Sequence, residues 1–265
     1  MTPDTRLAAR LAQEAGRALL ALRTEMSRAP GQPDPRELGR RGDAVSQELL
    51  SRLLAEHRPG DAVLSEESAD DGRRLDAERV WIVDPLDGTR EYGLGRPDWT
   101  VHVALWEAEA ARRGGACGLT AAAVAQPDRD ELFTSGDGPA ERKTTREIPA
   151  ERTRILVSDT RPPEFANAVA ESVDADLVPM GSAGAKATAV LRGAAEAYLH
   201  AGGQYEWDSA APVGVVRAAG LHASRIDGTA LRYNAPTPYL PDLVICRAEL
   251  AGPLLDAIAT ATRSG

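Results

Sequence analysis

Val80-Trp81-Ile82-Val83 sets four large apolar residues in a row, and the chain then breaks at once into Asp84-Pro85-Leu86-Asp87-Gly88-Thr89. The apolar run, rich in β-branched and aromatic residues, reads as a buried strand. Its abrupt acidic end constrains the fold more than any other feature. Two carboxylates three positions apart on a continuing strand would stand on opposite faces, about 10 Å apart at ~3.3 Å per residue. Pro85 points instead to a turn, because Pro is favoured at the second position and Asp at the first. A turn over 84–87 brings the two Cα atoms within about 7 Å, leaves the Leu86 carbonyl free and sets both carboxylates at one corner. Gly88 allows close backbone approach to a ligand. Thr89 supplies a hydroxyl and starts a helix, TREYGLG, whose N–H groups favour an anion.

Two bare carboxylates at ~4 Å repel by about 4 kcal/mol at an effective dielectric near 20. A hard divalent cation offsets that repulsion, since Mg²⁺ takes oxygen ligands and bridges carboxylates to phosphate. The bland reading is an Asp-Pro turn closed by Asp87-Gly88. The full strand–D-P-L-D-G-T order favours a metal corner facing an anion pocket. Other acidic residues join it. Glu66 and Glu67 close a short strand, AVLSEE, and adjacent strand residues point oppositely, so one faces the site. Asp43 follows Arg41-Gly42 and is expected where a Pro- and Gly-rich loop, 28–43, enters the second helix, as an N-cap. Asp208 in YEWDSAAP is expected to open a helix in the same way.

Around these residues the pattern alternates. An amphipathic helix is predicted over 5–26 and a second one carries Val45, Leu49, Leu53 and Leu54. Strands are predicted at 62–67, 80–83, 100–107 and 119–127, then at 154–158, at DLVPM, at AEAYLHA and at 242–248. Helices are predicted at 163–173, after the Gly-rich turn GSAGAK, at 207–220 and at 249–262, with a hairpin around Asp227-Gly228. The first half reads as α+β and the second as α/β. Two regions follow, 1–145 with most of the acidic residues and 146–265 with Asp208, with a boundary inside 134–151.

The net charge of -9 and a pI near 5.1, without a basic stripe, exclude nucleic acid as the expected partner. An anionic substrate must then be met by local positive charge or by bound cations. No apolar run reaches the roughly 20 residues that span a bilayer, and MTPDTRLAARLAQEAG lacks a signal peptide's apolar core. Cys117 and Cys246 form no CxxC pair, which points to reduced thiols and a cytoplasmic setting. Only two lysines occur, Lys143 and Lys186.

SEES, WIVDPLDGTREY, GSAGAK and EWDSAAP together resemble the motifs of the inositol monophosphatase superfamily, over nearly the whole chain, and within it the bisphosphate-nucleotidase branch. The resemblance implies a layered αβαβα sandwich and a Mg²⁺-dependent, lithium-sensitive phosphatase in which water attacks a phosphate ester directly. It implies that Glu66, Asp84, Asp87, Asp208 and the Leu86 carbonyl hold two or three Mg²⁺. Asp43 and Thr89 would orient and deprotonate the water, although GRRGD departs from the family's usual T-x-A-D lead-in to Asp43. Gly88 and Thr89 N–H groups would hold phosphate, and Gly181, Ser182 and Lys186 would meet the rest of the substrate.

Inositol-selective members carry an acid seven positions before the W-D aspartate, where this chain has Ala201. The implied substrate is therefore 3'-phosphoadenosine 5'-phosphate, cleaved to AMP and phosphate, with inositol 1-phosphate or fructose 1,6-bisphosphate as alternatives. Tyr205 or Trp207 could stack on a base, although a core role is expected for Trp207, and His102 and His200 are expected to be structural. A haloacid-dehalogenase-type phosphatase needs D-x-D, whereas this spacing is D-x-x-D. A non-catalytic nucleotide or metal sensor would keep the fold without the turnover. The resemblance allows a monomer or a homodimer.

Overall fold

The structure is a computed structural model and describes residues 1–28, 34–114, 116–137 and 152–263. Two five-stranded sheets organise it. The first contains β1 (Ala62–Ser65), β2 (Arg79–Asp87), β3 (Thr100–Glu107), β4 (Leu119–Gln126) and β5 (Glu131–Thr134), in that spatial order. It is antiparallel except for β1 against β2, which run parallel. The second holds β6 (Thr153–Ser158), β7 (Ala175–Met180), β8 (Ala197–Tyr205), β9 (His222–Ser224) and β10 (Tyr239–Cys246), ordered β7-β6-β8-β10-β9.

Helices fill three layers around these sheets. α1 (Pro3–Arg28) and α2 (Pro35–His57) cover the outer face of the first sheet, where Leu11, Leu19 and Leu50 pack on Trp81, Val83 and Val103. α6 (Ala183–Arg192) and α7 (Glu206–Ala218) lie between the sheets. Their Val190, Val213 and Val216 share one apolar cluster with Val80 and Ile82 on one side and Leu243 and Ile245 on the other. α5 (Ala166–Ser172) and α8 (Ala251–Arg263) cover the far face of the second sheet. The short helices α3 (Thr89–Gly93) and α4 (Ala108–Arg112) complete the set. This is the αβαβα layering. It explains the apolar run of β2, because Val80 and Ile82 face the central helices while Trp81 and Val83 face α1 and α2.

Three local expectations change. Residues 35–43 are helical, with Asp34 as the N-cap accepting the Arg36 N–H and Pro35 at the first helical position, where its missing N–H costs nothing. Asp43 therefore lies inside α2 and is not an N-cap. The 84–87 segment is no free turn. β2 continues to Asp87 with its pairing to β3 shifted between Asp84 and Asp87. Pro85 is tolerated because β1 has already ended opposite Val83, so no ladder donor is missed on that side. The Asp227-Gly228 hairpin is also absent: β9 pairs with β10, and residues 225–229 form only a turn. Most of the expected 134–151 boundary falls outside the described residues.

Candidate active site

The parallel pairing of β1 and β2 ends at Ser65 opposite Val83, so Glu66 and Asp84 emerge at the same end of neighbouring strands. α7 brings a third acid to that end. Asp208 occupies the third position of the helix, not its N-cap, which is Tyr205, and its Oδ2 accepts the Tyr205 N–H at 2.6 Å. Carboxylate oxygens of Asp84, Asp87 and Asp208 all lie within 4.8 Å of one another. Glu66 lines the same cleft but stands outside that tight trio.

Charge crowding leaves its mark on three of these acids. Glu66 is open to solvent on one side, yet enclosure by the cleft, then Asp208, Glu67, Asp87 and Asp43, push its carboxyl up to about 8. Burial, followed by Asp87, pushes Asp208 up to about 7. Asp84 is fully enclosed and raised well above the carboxylate range by burial, Glu66, Asp87 and Asp208. Its Oδ1 accepts the Leu86 N–H at 3.0 Å, while its buried Oδ2 has no partner among the described residues. Unpartnered polar atoms are rare in folded interiors and call for an explanation.

Asp87 behaves in the opposite way. Burial would raise it, but His102, the Ser182 hydroxyl, the Gly184 N–H and Lys186 hold it below its usual value. Its Oδ2 accepts Thr100 Oγ1 at 3.0 Å, the Gly184 N–H at 2.7 Å and the Ser182 hydroxyl, and its Oδ1 accepts the Ala183 N–H at 3.1 Å. Asp87 thus fastens the first turn of α6 to the sheet. Ser182 caps that helix through the Ala185 N–H from a left-handed backbone, φ 52°, a conformation that side chains other than glycine hold only at a cost.

Asp43 and Thr89 meet although 46 residues separate them: Thr89 Oγ1 lies 3.1 Å from Asp43 Oδ1 and 3.1 Å from the Leu86 carbonyl oxygen. Close seating of α2 makes this contact. A Cβ on Gly42 would sit 2.9 Å from Leu86 Cδ2, and one on Gly39 would sit 2.8 Å from Thr89 Cγ2. The Ser46 hydroxyl also donates to the Pro85 carbonyl at 2.6 Å, locking α2 to the irregular stretch of β2. Glycine at position 42, one of the two departures in the lead-in, therefore has a steric reason. Burial raises Asp43 to about 6 against the opposing hydrogen bond from Thr89. Gly88 holds φ at 93°, which turns the chain from β2 into α3.

The cleft, about 540 Å³, is lined by Glu66, Asp87, Gly88, Thr89, Gly181, Ser182, Lys186 and Asp208 together. Asp84 and Leu86 lie buried behind it. Lys186 is no surface lysine. Its Nζ donates to the carbonyls of Met180, Gly181 and Ser182 at 3.2, 3.1 and 2.7 Å and sits 5.0 Å from the Tyr198 ring centroid. All three ammonium protons are used inside the protein. Trp207 is half-buried, stacked on Tyr205 with centroids 4.7 Å apart, and both rings line the cleft with Tyr239. His102 Nδ1 lies 3.0 Å from the Trp207 carbonyl, which ties α7 to β3. His200 Nε2 lies 3.0 Å from the Gly203 carbonyl. The expectation missed Thr100. TVHVALWE announces a strand, but nothing in it says that Thr100 would reach Asp87.

A family model described as the inositol monophosphatase family matches residues 1–263. The chain belongs to the inositol monophosphatase family. It is 51% identical over 257 residues to a 3'-phosphoadenosine 5'-phosphate phosphatase of Mycobacterium bovis, covering 94% of this chain and 91% of that protein. The protein of the same name from Mycobacterium leprae is 51% identical over 257 residues, covering 96% and 93%. Among family folds, the crystal structure of CysQ from Bacteroides thetaiotaomicron superposes with a TM-score of 0.75 at 23% identity, covering 92% of this chain and 97% of that one. No described helix is long and apolar enough to cross a membrane. Both cysteines are free.

Proposed function

We propose that this family member is a Mg²⁺-dependent phosphomonoesterase that hydrolyses 3'-phosphoadenosine 5'-phosphate to AMP and phosphate. The observation that carries the substrate is the 51% identity over 257 residues with proteins named for that activity. The second sheet agrees with it. Where an inositol-selective member would offer an acid, β8 has Ala201, and the acid paired across from it, Asp242, is held by Arg225 at 2.6 and 2.7 Å.

The residues present fit a hard cation. The trio of carboxylates supplies anionic oxygen donors, and the partnerless Asp84 Oδ2 is an acceptor that lacks a positive neighbour. Glu66, Asp84, Asp87, Asp208 and the Leu86 carbonyl would hold two or three Mg²⁺. When bound, Mg²⁺ lowers the pKa of a water and neutralises charge on the phosphate.

The chain's own part is positioning and proton handling. The Thr89 hydroxyl has one proton, so it serves either Asp43 or the Leu86 carbonyl at a given moment. Donating to ionised Asp43, it turns an oxygen lone pair toward the attacking water and passes that water's proton to Asp43 Oδ1. Gly88 and Thr89 N–H groups take phosphate oxygens at the start of α3. Gly181, Ser182 and Lys186 hold the wall that the nucleoside meets, with Lys186 adding charge and not hydrogen bonds.

Initial rates on 3'-phosphoadenosine 5'-phosphate, inositol 1-phosphate and fructose 1,6-bisphosphate, each with Mg²⁺ and with chelator, test this. The nucleotide should lead by about tenfold or more in kcat/KM. Higher efficiency on either sugar phosphate overturns the substrate, and undiminished turnover in chelator overturns the metal.

A further inference from the structure

The substrate proposed above carries two phosphates, and the metal corner accounts for only the one that is cleaved. Among the described residues, the cleft wall contains three side chains that are cationic at neutral pH: Arg90, Arg161 and Lys186. Two are already engaged. Arg90 Nη1 lies 3.1 Å from Asp159 Oδ2 and 3.2 Å from Glu91 Oε1, and the Lys186 ammonium is held by three carbonyls. His200 adds no charge, since burial lowers its pKa. The Arg161 guanidinium is exposed and, among the described residues, has neither an ion-pair nor a hydrogen-bond partner.

Its backbone is nonetheless fixed. The Arg161 N–H donates to Ser158 Oγ at 3.1 Å just beyond the end of β6. Two residues away, Asp159 is clamped between Arg90 and Arg96, with its carboxylate 3.1 and 3.3 Å from their Nη1 atoms, and its N–H donates to the Met180 carbonyl. The turn is thereby cross-linked to α3 and to the end of β7, and it presents a free guanidinium to the cleft. The field of that guanidinium reaches Asp208 and His200 on the opposite elements.

We propose that Arg161 binds the phosphate of the nucleoside bisphosphate that is not hydrolysed, and so sets the preference for a substrate with two phosphates over one. This rests on the function proposed above. A guanidinium fork matches a phosphate with two parallel N–H···O bonds, and a phosphomonoester carries close to two negative charges at neutral pH. A free fork on an anchored turn reads such a group with little reordering.

The test compares 3'-phosphoadenosine 5'-phosphate with adenosine 3'-monophosphate, which lacks only the second phosphate, in the Mg²⁺-loaded wild type, R161Q and R161K. The side chain has no partner to lose among the described residues, so a thermal melt should show both variants folded. The wild type should prefer the bisphosphate. R161Q should lose about tenfold or more of that kcat/KM preference, mostly through KM, and R161K should recover part of it. A preference kept intact in R161Q, or no preference in the wild type, overturns the proposal while leaving the nucleotidase reading standing. A wild type that cleaves neither nucleotide but does cleave a sugar phosphate overturns the nucleotidase reading itself.

Discussion

Asp84 and Asp87 stand three residues apart at the end of one strand, and the walls they belong to handle charge in opposite ways. Asp84, with Glu66 and Asp208, forms a wall of acids raised by burial and by one another, with a buried oxygen left unpartnered. Asp87 belongs to the α6 wall, where four donors, from Thr100, Ser182, Ala183 and Gly184, satisfy one carboxylate. Among the described residues the first wall leaves an acceptor unsatisfied, whereas the second satisfies its carboxylate as folded. On the reading proposed above, the motif with two aspartates divides its labour: Asp84 would meet a cation, and Asp87 also fastens α6 to the sheet.

Substitution of each aspartate by its amide sharpens that contrast. D84N should lower kcat by about 10³-fold, the scale of losing one pre-organised electrostatic group. In chelator it should raise the melting temperature, because the amide is neutral without the proton that folding must load onto the buried, crowded Asp84 carboxyl at neutral pH. D87N should also cost activity, but with a fall in stability of about 1–3 kcal/mol, because an amide nitrogen would face donors that need an acceptor. This revises the simplest expectation for the motif, that removing either charge merely relieves repulsion. Melting curves of the two variants in chelator check it, and the contrast fails if both shift the same way. T89V should lower kcat by about 10²-fold while leaving the Mg²⁺ requirement in place, measured as the Mg²⁺ dependence of phosphate release.

The smallest effect is on the pH dependence of the metal-free protein. Glu66 and Asp208 keep protons up to about 8 and about 7, whereas the unfolded chain releases them near its ordinary carboxylate values. The folded state thus binds more protons between about pH 4 and 8, so stability falls as pH rises through that window. Melts in chelator from pH 5 to 9 should show the decline, and saturating Mg²⁺ should flatten it. A flat profile in chelator would remove the distinction between the walls.

Much of this was readable from the residues. The β2 run and its acids follow from apolar patterning and simple repulsion, and the layered fold followed from the motifs. What misled was local composition under tertiary control. Pro35, Gly39 and Gly42 suggested a loop, yet Pro35 starts α2 and the two glycines let it seat against Leu86 and Thr89. Pro85 suggested a turn, yet the end of β1 lets β2 run on. Lys186 could be singled out by its rarity, but the carbonyls that hold it come from the turn before its own helix. Arg161 carried no signal in the sequence, because the role proposed for it rests on its having no partner among the described residues.

Proton release on metal binding tests the central claim most directly. Mg²⁺ is titrated calorimetrically into chelator-stripped protein at pH 7, in buffers of different ionisation enthalpy. If the crowded acids form the cation's site, Mg²⁺ binds and displaces protons from Glu66, Asp84 and Asp208, with the number released falling toward pH 9. Binding without proton release, or no binding at all, would contradict it.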